Sequence, residues 1–289
     1  MGGVLKVPAG AAAEREFEFT PSDFERVRQL IYAHAGIALN DSKSNMVYSR
    51  LARRLRARGL QRFEDYLRLL EADDHAEREA FINSLTTNLT AFFREPHHFP
   101  ILAERIKAVA RQREVVLWCA AASTGEEPYS MAITAMEALL TMTPRVRVLA
   151  SDIDTTVLAH GERGIYAASN VAQLGADLAR RYFVRGTGEQ EGKVTVRPEV
   201  RTLVTFQRIN LLDREWPISM RFDAIFCRNV MIYFDKPTQH RIIGRFMPLL
   251  QPGGLLFAGH SENLAHARDL VQPEGRTVYS RASDGSRVA

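Results

Sequence analysis

Cysteine is scarce: the 289 residues hold two, Cys119 and Cys227, and neither has a C-x-x-C partner. A disulfide-stapled domain and a cysteine-rich zinc module are therefore excluded. Long apolar runs are missing too. None approaches the ~18 residues that cross a bilayer, and Met1 to Ala13 lacks the apolar core of a secretory signal, so a cytoplasmic protein without direct membrane insertion is expected. The eight histidines show no ligand spacing; His97 and His98 are adjacent and should point apart on a helix, so no metal is expected. Charge of one sign is not in large excess, with a net +4 and a pI near 9.2. Without concentration in one place, that surplus implies no nucleic acid. The glycine fingerprint G-x-G-x-x-G is also absent, which argues against a dinucleotide reductase.

The composition that remains is globular, with 46% apolar and 25% charged residues, and the length suits two domains. Residues 1–19 have no clear period and read as a flexible tail, as do residues 281–289. Thr20-Pro21-Ser22-Asp23 is a helix start, with Thr20 as N-cap, Pro21 at N1 and Asp23 at N3. Phe24, Val27, Leu30 and Ile31 follow at helical spacing. Further helices are expected over Met46 to Arg58, ended by Gly59, over Phe63 to Leu70, and over Ala76 to Leu85. Residues 20–87 thus form an all-helical N-terminal domain.

From Arg113 the pattern changes. Val115 to Ala120, Val146 to Ala150, Val204 to Ile209 and Phe222 to Cys227 are short apolar runs of the buried parallel-strand type, alternating with helices. Leu255 to Gly259 and Thr277 to Ser280 add two more strands. This is the pattern of an α/β, Rossmann-like doubly wound sheet, over residues 88–280. A stretch of about 50 residues between the second and third strands is long for one crossover. Within it, Arg181 to Arg197 flanks a Gly-rich turn and reads as a small antiparallel β insertion.

Open sheets bind ligands at the carboxyl ends of their strands. There the first strand opens into Ala120-Ala121-Ala122-Ser123-Thr124-Gly125-Glu126-Glu127, a loop of small residues ending in two acids. Asp152 ends the second strand, where an acid can accept hydrogen bonds from ribose hydroxyls; Asp154 competes, fitting an N-cap better. Arg228 and Asn229 leave the fourth strand, with Tyr233 one helical turn beyond. Leu85 to Pro96 joins the two halves and combines hydrogen-bonding side chains, two aromatics and Arg94. From Lys43 to Arg62 there are seven basic residues and no acid. Arg50, Arg53 and Arg54 share one helix face, which points to an anionic partner.

Three segments together resemble the chemotaxis receptor glutamate O-methyltransferases: Thr87 to Phe99 (TNLTAFFREPHHF), Ser123 to Ser130 (STGEEPYS) and Phe222 to Phe234 (FDAIFCRNVMIYF). The resemblance covers residues 20–280; Ala121 departs from the glycine common in this loop. It implies an enzyme that moves a methyl group from S-adenosylmethionine to glutamate carboxylates of bacterial chemoreceptors, leaving S-adenosylhomocysteine and a glutamyl methyl ester. It implies cofactor contacts from Asn88, Thr90, Arg94, Glu127, Asp152, Asn210, Leu211, Arg228 and Asn229. Arg94 falls near the reacting end and Tyr233 close to the sulfur. It further implies that the helix bearing Arg50, Arg53 and Arg54 meets the receptor, and that the β insertion matches a subdomain which in some members binds a receptor's C-terminal pentapeptide. A monomer recruited to membrane receptor arrays is expected. The same sheet also serves methyltransferases of other proteins, small molecules or nucleic acids.

Overall fold

The computed structural model describes residues 15–72 and 74–282; the remainder of both expected tails lies outside them. Four helices come first: α1 (Pro21–Ala35), α2 (Ser44–Arg58), α3 (Phe63–Glu71) and α4 (His75–Leu85). Thr20 and Asp23 form a full capping box at α1, and left-handed Gly59 ends α2. Val27, Ile31, Val47, Leu51, Leu55, Tyr66, Leu67 and Phe81 fill the core of this bundle. Phe17 and Phe19 do not belong to a loose tail. Both are buried in the same core, where Phe19 meets Phe63 with ring centroids 4.5 Å apart. Two aromatics supply enough apolar surface to anchor a segment that has no helical period.

The second part continues through α5 (His98–Ala110), β1 (Val115–Cys119), α6 (Glu126–Leu139), β2 (Val146–Asp152), α7 (Thr155–Arg163), β3 (Ile165–Ala167), α8 (Ala168–Val171), α9 (Ala176–Tyr182), β4 (Phe183–Arg185), β5 (Lys193–Val196), α10 (Pro198–Arg201), β6 (Val204–Arg208), β7 (Phe222–Phe226), α11 (Lys236–Phe246), β8 (Leu250–Phe257), β9 (Val271–Gly275) and β10 (Val278–Arg281). The main sheet has the order β6-β2-β1-β7-β8-β10-β9. Its first five strands are parallel, and β10 runs antiparallel to both neighbours. β1 and β7 are fully buried along their length, as strands covered on both faces must be. The order reverses beside β1, so the ends of β1, β2 and β7 open onto one crevice. Arg281 belongs to β10, and Ala282 donates its N–H to Leu270, so these two residues are not part of a tail.

The insertion is a separate three-stranded antiparallel sheet, β3-β5-β4. The sequence indicated two of its strands; β3, only three residues long, pairs with β5 from outside residues 181–197. Among the described residues, no helix is long and apolar enough to cross a membrane.

Candidate functional site

A cavity lies between the helical part and the carboxyl edge of the main sheet, enclosing about 1330 Å3 of empty space, mouth included. Asn88, Thr90, Arg94, Glu127, Asp152, Asn210, Leu211, Arg228, Asn229 and Tyr233 all line it. Residues from Asn88 to Tyr233, far apart in sequence, thus meet in one place. Ile37, Leu39, Leu211 and Val230 supply apolar wall, while Glu127, Asp152 and Arg94 supply charge.

The loop after β1 is held by its own backbone. Ser123 adopts φ 48° and Gly125 φ 98°, and a Cβ on Gly125 would come within 2.8 Å of the Tyr166 hydroxyl. Only glycine fits that packing. Asp152 then fastens the loop: its Oδ2 accepts from the Ser123 N–H at 2.8 Å and its Oδ1 from the Asp154 N–H at 3.0 Å. Burial nevertheless raises the Asp152 carboxyl to about 6. Asp154 is the N-cap of α7, accepting from Thr156 and Val157, and its other oxygen takes Asn88 Nδ2 and Thr86 Oγ1, both at 2.8 Å. The two acids therefore divide their work, Asp154 tying the linker to α7 and Asp152 facing the cavity.

At the end of β7 the Arg228 guanidinium is wholly buried. It reaches Glu127 Oε2 at 2.8 Å, donates to the Arg94 carbonyl at 2.6 Å, and lies 3.4 Å from Glu95 Oε2. Burial raises the Glu127 carboxyl although Arg228 opposes it. Burial likewise disfavours the Glu95 carboxylate, but Arg228, His260 and Asn229 outweigh it and hold that carboxyl below its ordinary value. Arg94 donates to the Leu89 carbonyl at 2.8 Å across the mouth. Asn210 bonds the His34 carbonyl at 2.8 Å, and the Tyr233 carbonyl accepts from the Ala38 N–H at 2.9 Å, so the far wall is stitched to the end of α1.

Two acids of this network, Glu95 and Glu262, whose Oε2 accepts from the Asn229 N–H at 2.9 Å, escaped the sequence reading as site residues. Glu95 has φ 55° beside Phe93 at 53°, a strained pair that no composition pattern betrays. Glu262 sits in a loop with no period.

The arginines of α2 do not form the free cationic face that their spacing indicated. Arg54 makes two bonds to buried Glu77, at 2.9 and 2.7 Å, and Arg50 donates to the Thr86 carbonyl at 2.7 Å. Arg56 and Arg58 pair with Glu16 and Asp74. The balancing acids come from other segments, which a local count of charge misses. Arg53 stays exposed, with no ion pair among the described residues. Nor do His97 and His98 point apart: their ring centroids are 4.2 Å apart. With Glu95 they bring three ligand-type atoms within 4.8 Å of one another. The Arg228 guanidinium, 3.4 Å from Glu95 Oε2, opposes a cation at that group. Burial lowers His98 to about 4, so it stays neutral at neutral pH.

Comparison with known proteins matches residues 88–280 to a family model described as the CheR methyltransferase, SAM binding domain, and residues 22–86 to the CheR methyltransferase, all-alpha domain. Chemotaxis protein methyltransferase 2 of Pseudomonas aeruginosa is 52% identical, over 95% of this chain and 98% of that relative. The chemotaxis protein methyltransferases of Salmonella typhimurium and Escherichia coli are 56% and 54% identical, each over 90% of this chain and 90% and 91% of their own lengths.

Proposed function

The chain belongs to the CheR methyltransferase family, and from that premise we infer how its own residues carry out the family's reaction. It is an S-adenosylmethionine-dependent methyltransferase of chemotaxis that acts on glutamate carboxylates of chemoreceptors. One observation carries the assignment of the site: the cavity at the ends of β1, β2 and β7 gathers every residue the resemblance marks for cofactor and reaction.

The cavity suits that cofactor. Asp152, oriented by two backbone N–H groups, keeps lone pairs for the ribose hydroxyls, and small Ala120 and Ala121 let the ligand approach the backbone. Ile153, Ile209 and Leu211 offer an apolar slot for a base, and the Glu127 carboxyl would hold the cofactor's ammonium. When bound, the cofactor supplies an electrophilic methyl on a sulfonium sulfur. An incoming glutamate, with an ordinary pKa of about 4.3, is already ionised at neutral pH and needs no general base. Positive and negative charge both diminish as the methyl moves, so Arg94 and Tyr233 serve to orient the reactants and exclude water. Arg228 and Asn229 hold the floor on which they stand.

Arg53, exposed on α2, is the cation we assign to the acidic receptor surface; Arg50 and Arg54 shape that face from within. The three-stranded sheet has open edges at β3 and β4, and exposed Val184 supports docking of a receptor's C-terminal peptide there as an added strand. Such tethering recruits a cytoplasmic enzyme to receptor arrays and raises its local concentration.

The test is tritiated methyl transfer to receptor-containing membranes, followed by alkaline release of methanol. Label that resists alkali, or appears on nucleic acid or a small molecule instead, overturns the glutamate reading.

A further inference from the structure

Glu262 lies in the turn after β8, outside the cavity wall, and only 4% of it is exposed. A buried carboxylate costs free energy unless its bonds repay it. Its Oε2 accepts from two backbone N–H groups, Gly259 at 2.5 Å and Asn229 at 2.9 Å. Asn229 is the residue that faces the cavity, and it adopts φ 58°, a left-handed conformation that side-chain-bearing residues rarely hold without support. Its Nδ2 extends the same link to Glu95 Oε1 at 3.3 Å, and Glu95 in turn sits beside Arg228. The fit leaves no slack. A Cβ on Gly259 would stand 2.4 Å from Asn229 Nδ2 and 2.9 Å from Glu262 Oε2.

We propose that Glu262 is a positioning residue for the methyl-transfer site: its carboxylate fixes the left-handed backbone of Asn229, and through it the Arg228–Asn229 floor of the cofactor cavity. Both amide bonds converge on one oxygen, so the reach of that acceptor sets where the Asn229 backbone stands. Glu262 touches neither reactant; it acts by setting where Asn229 stands. This rests on the reading that the cavity holds the cofactor.

The experiment compares Glu262→Asp, which retracts the oxygens by one methylene, with Glu262→Gln, which keeps the reach and one carbonyl acceptor. Arg113→Ala is the control. It removes a partner of buried Asp223 at the opposite end of β7 and so destabilises the fold without touching the cavity. S-adenosylhomocysteine affinity, kcat and melting are measured for each, and the backbone amide protons of Gly259 and Asn229 are followed by NMR. Glu262→Asp should lose about tenfold or more in affinity or kcat, because a displacement of an ångström at a positioned group costs up to ~100-fold. Glu262→Gln should stay within about threefold of the native chain, since its carbonyl can still take both N–H groups. The two amide protons should lie far downfield in the native chain and move upfield in Glu262→Asp. Native affinity and kcat in Glu262→Asp overturn the proposal. So does a loss in Arg113→Ala equal to that of Glu262→Asp at the same melting change, or amides that do not move. Failure of the native chain itself to bind S-adenosylhomocysteine would instead reject the cavity assignment, and the amide shifts would still report on Glu262.

Discussion

Arg228 and Glu127 meet at 2.8 Å where both side chains are all but sealed from solvent, 0% and 9% exposed. Removing one partner of such a pair strands the other. Arg228→Ala should cost roughly 3–5 kcal/mol of stability. It should also abolish measurable cofactor binding. Arg228→Lys should recover little, because an ammonium lacks the fork that bonds Glu127 and the Arg94 carbonyl together. Melting curves and calorimetry of the two variants check this.

Asp152 is the second case. Asp152→Ala should weaken S-adenosylhomocysteine binding by ~1–3 kcal/mol, the cost of unpairing hydrogen bonds to a charged group. Its carboxyl titrates at about 6, above the ordinary 3.8. Cofactor affinity should therefore be full above that value and fall as pH drops through it, since a protonated carboxyl loses acceptor capacity. The effect on stability has the opposite sign. A raised folded pKa favours the fold fully below the ordinary value, and that contribution is lost as pH rises through about 6. Calorimetric titrations from pH 5 to pH 8 for affinity, and melting from about pH 3.5 to pH 7 for stability, on native and Asp152→Asn chains, separate the two; identical profiles in the variant remove Asp152 as the titrating group.

Arg94 offers its side chain to the mouth through one backbone carbonyl, Leu89. Arg94→Ala should leave melting within about 0.5 kcal/mol, as for a surface change, and lower kcat by about 100-fold, the penalty for a misplaced reactant. Normal methylation would return Arg94 to packing alone.

Charge reversal on α2 should split by residue. Arg53→Glu should raise the receptor KM, more at low salt than at high, and leave cofactor binding and melting alone. Arg54→Glu faces buried Glu77 and should destabilise the helical domain by about 3 kcal/mol, the low end for a buried pair because Arg54 is itself 27% exposed. Steady-state methylation at two ionic strengths, with melting alongside, distinguishes docking from folding.

The small sheet makes the last prediction. A receptor-tail peptide, Asn-Trp-Glu-Thr-Phe, should bind the native chain and bind Val184→Asp more weakly, since Val184 is 45% exposed on edge strand β4. Equal titrations of the native chain and Val184→Asp would dismiss that edge.

Much of this architecture was legible because it rests on local rules. Thr20, Pro21 and Asp23 start α1 as their side chains require, Gly59 stops α2, and the apolar runs around Trp118 and Ile225 become the central strands. Glu127, Asp152, Arg228 and Asn229 were legible because they end a strand or open a helix at the ligand edge, and Asn88, Thr90 and Arg94 because they lie in a polar, aromatic linker, while Asn210 and Leu211 were marked only by the family resemblance. What stayed hidden depends on distance. β3 exists only because β5 pairs with it, and β9, with Pro273 and two exposed polar residues, only because β10 does. Phe17 and Phe19 are fixed by Phe63, and the arginines of α2 are neutralised by Glu16, Asp74 and Glu77. Glu95 and Glu262 work through backbone groups whose placement no spacing encodes.

The stitching of Ala38 to Tyr233 and of Asn210 to the end of α1 bears on how this enzyme can be rebuilt. The helical bundle is not a detachable cassette, because Ala35, Ile37, Ala38, Leu39, Lys43 and Met46 form part of the cavity lining itself. Exchanging it between relatives to redirect receptor choice would also retune cofactor affinity, and truncating it would open the methyl-transfer site to water. Replacing the whole bundle should therefore carry cofactor affinity with it, whereas a single change on the exposed face of α2, such as at Arg53, should not.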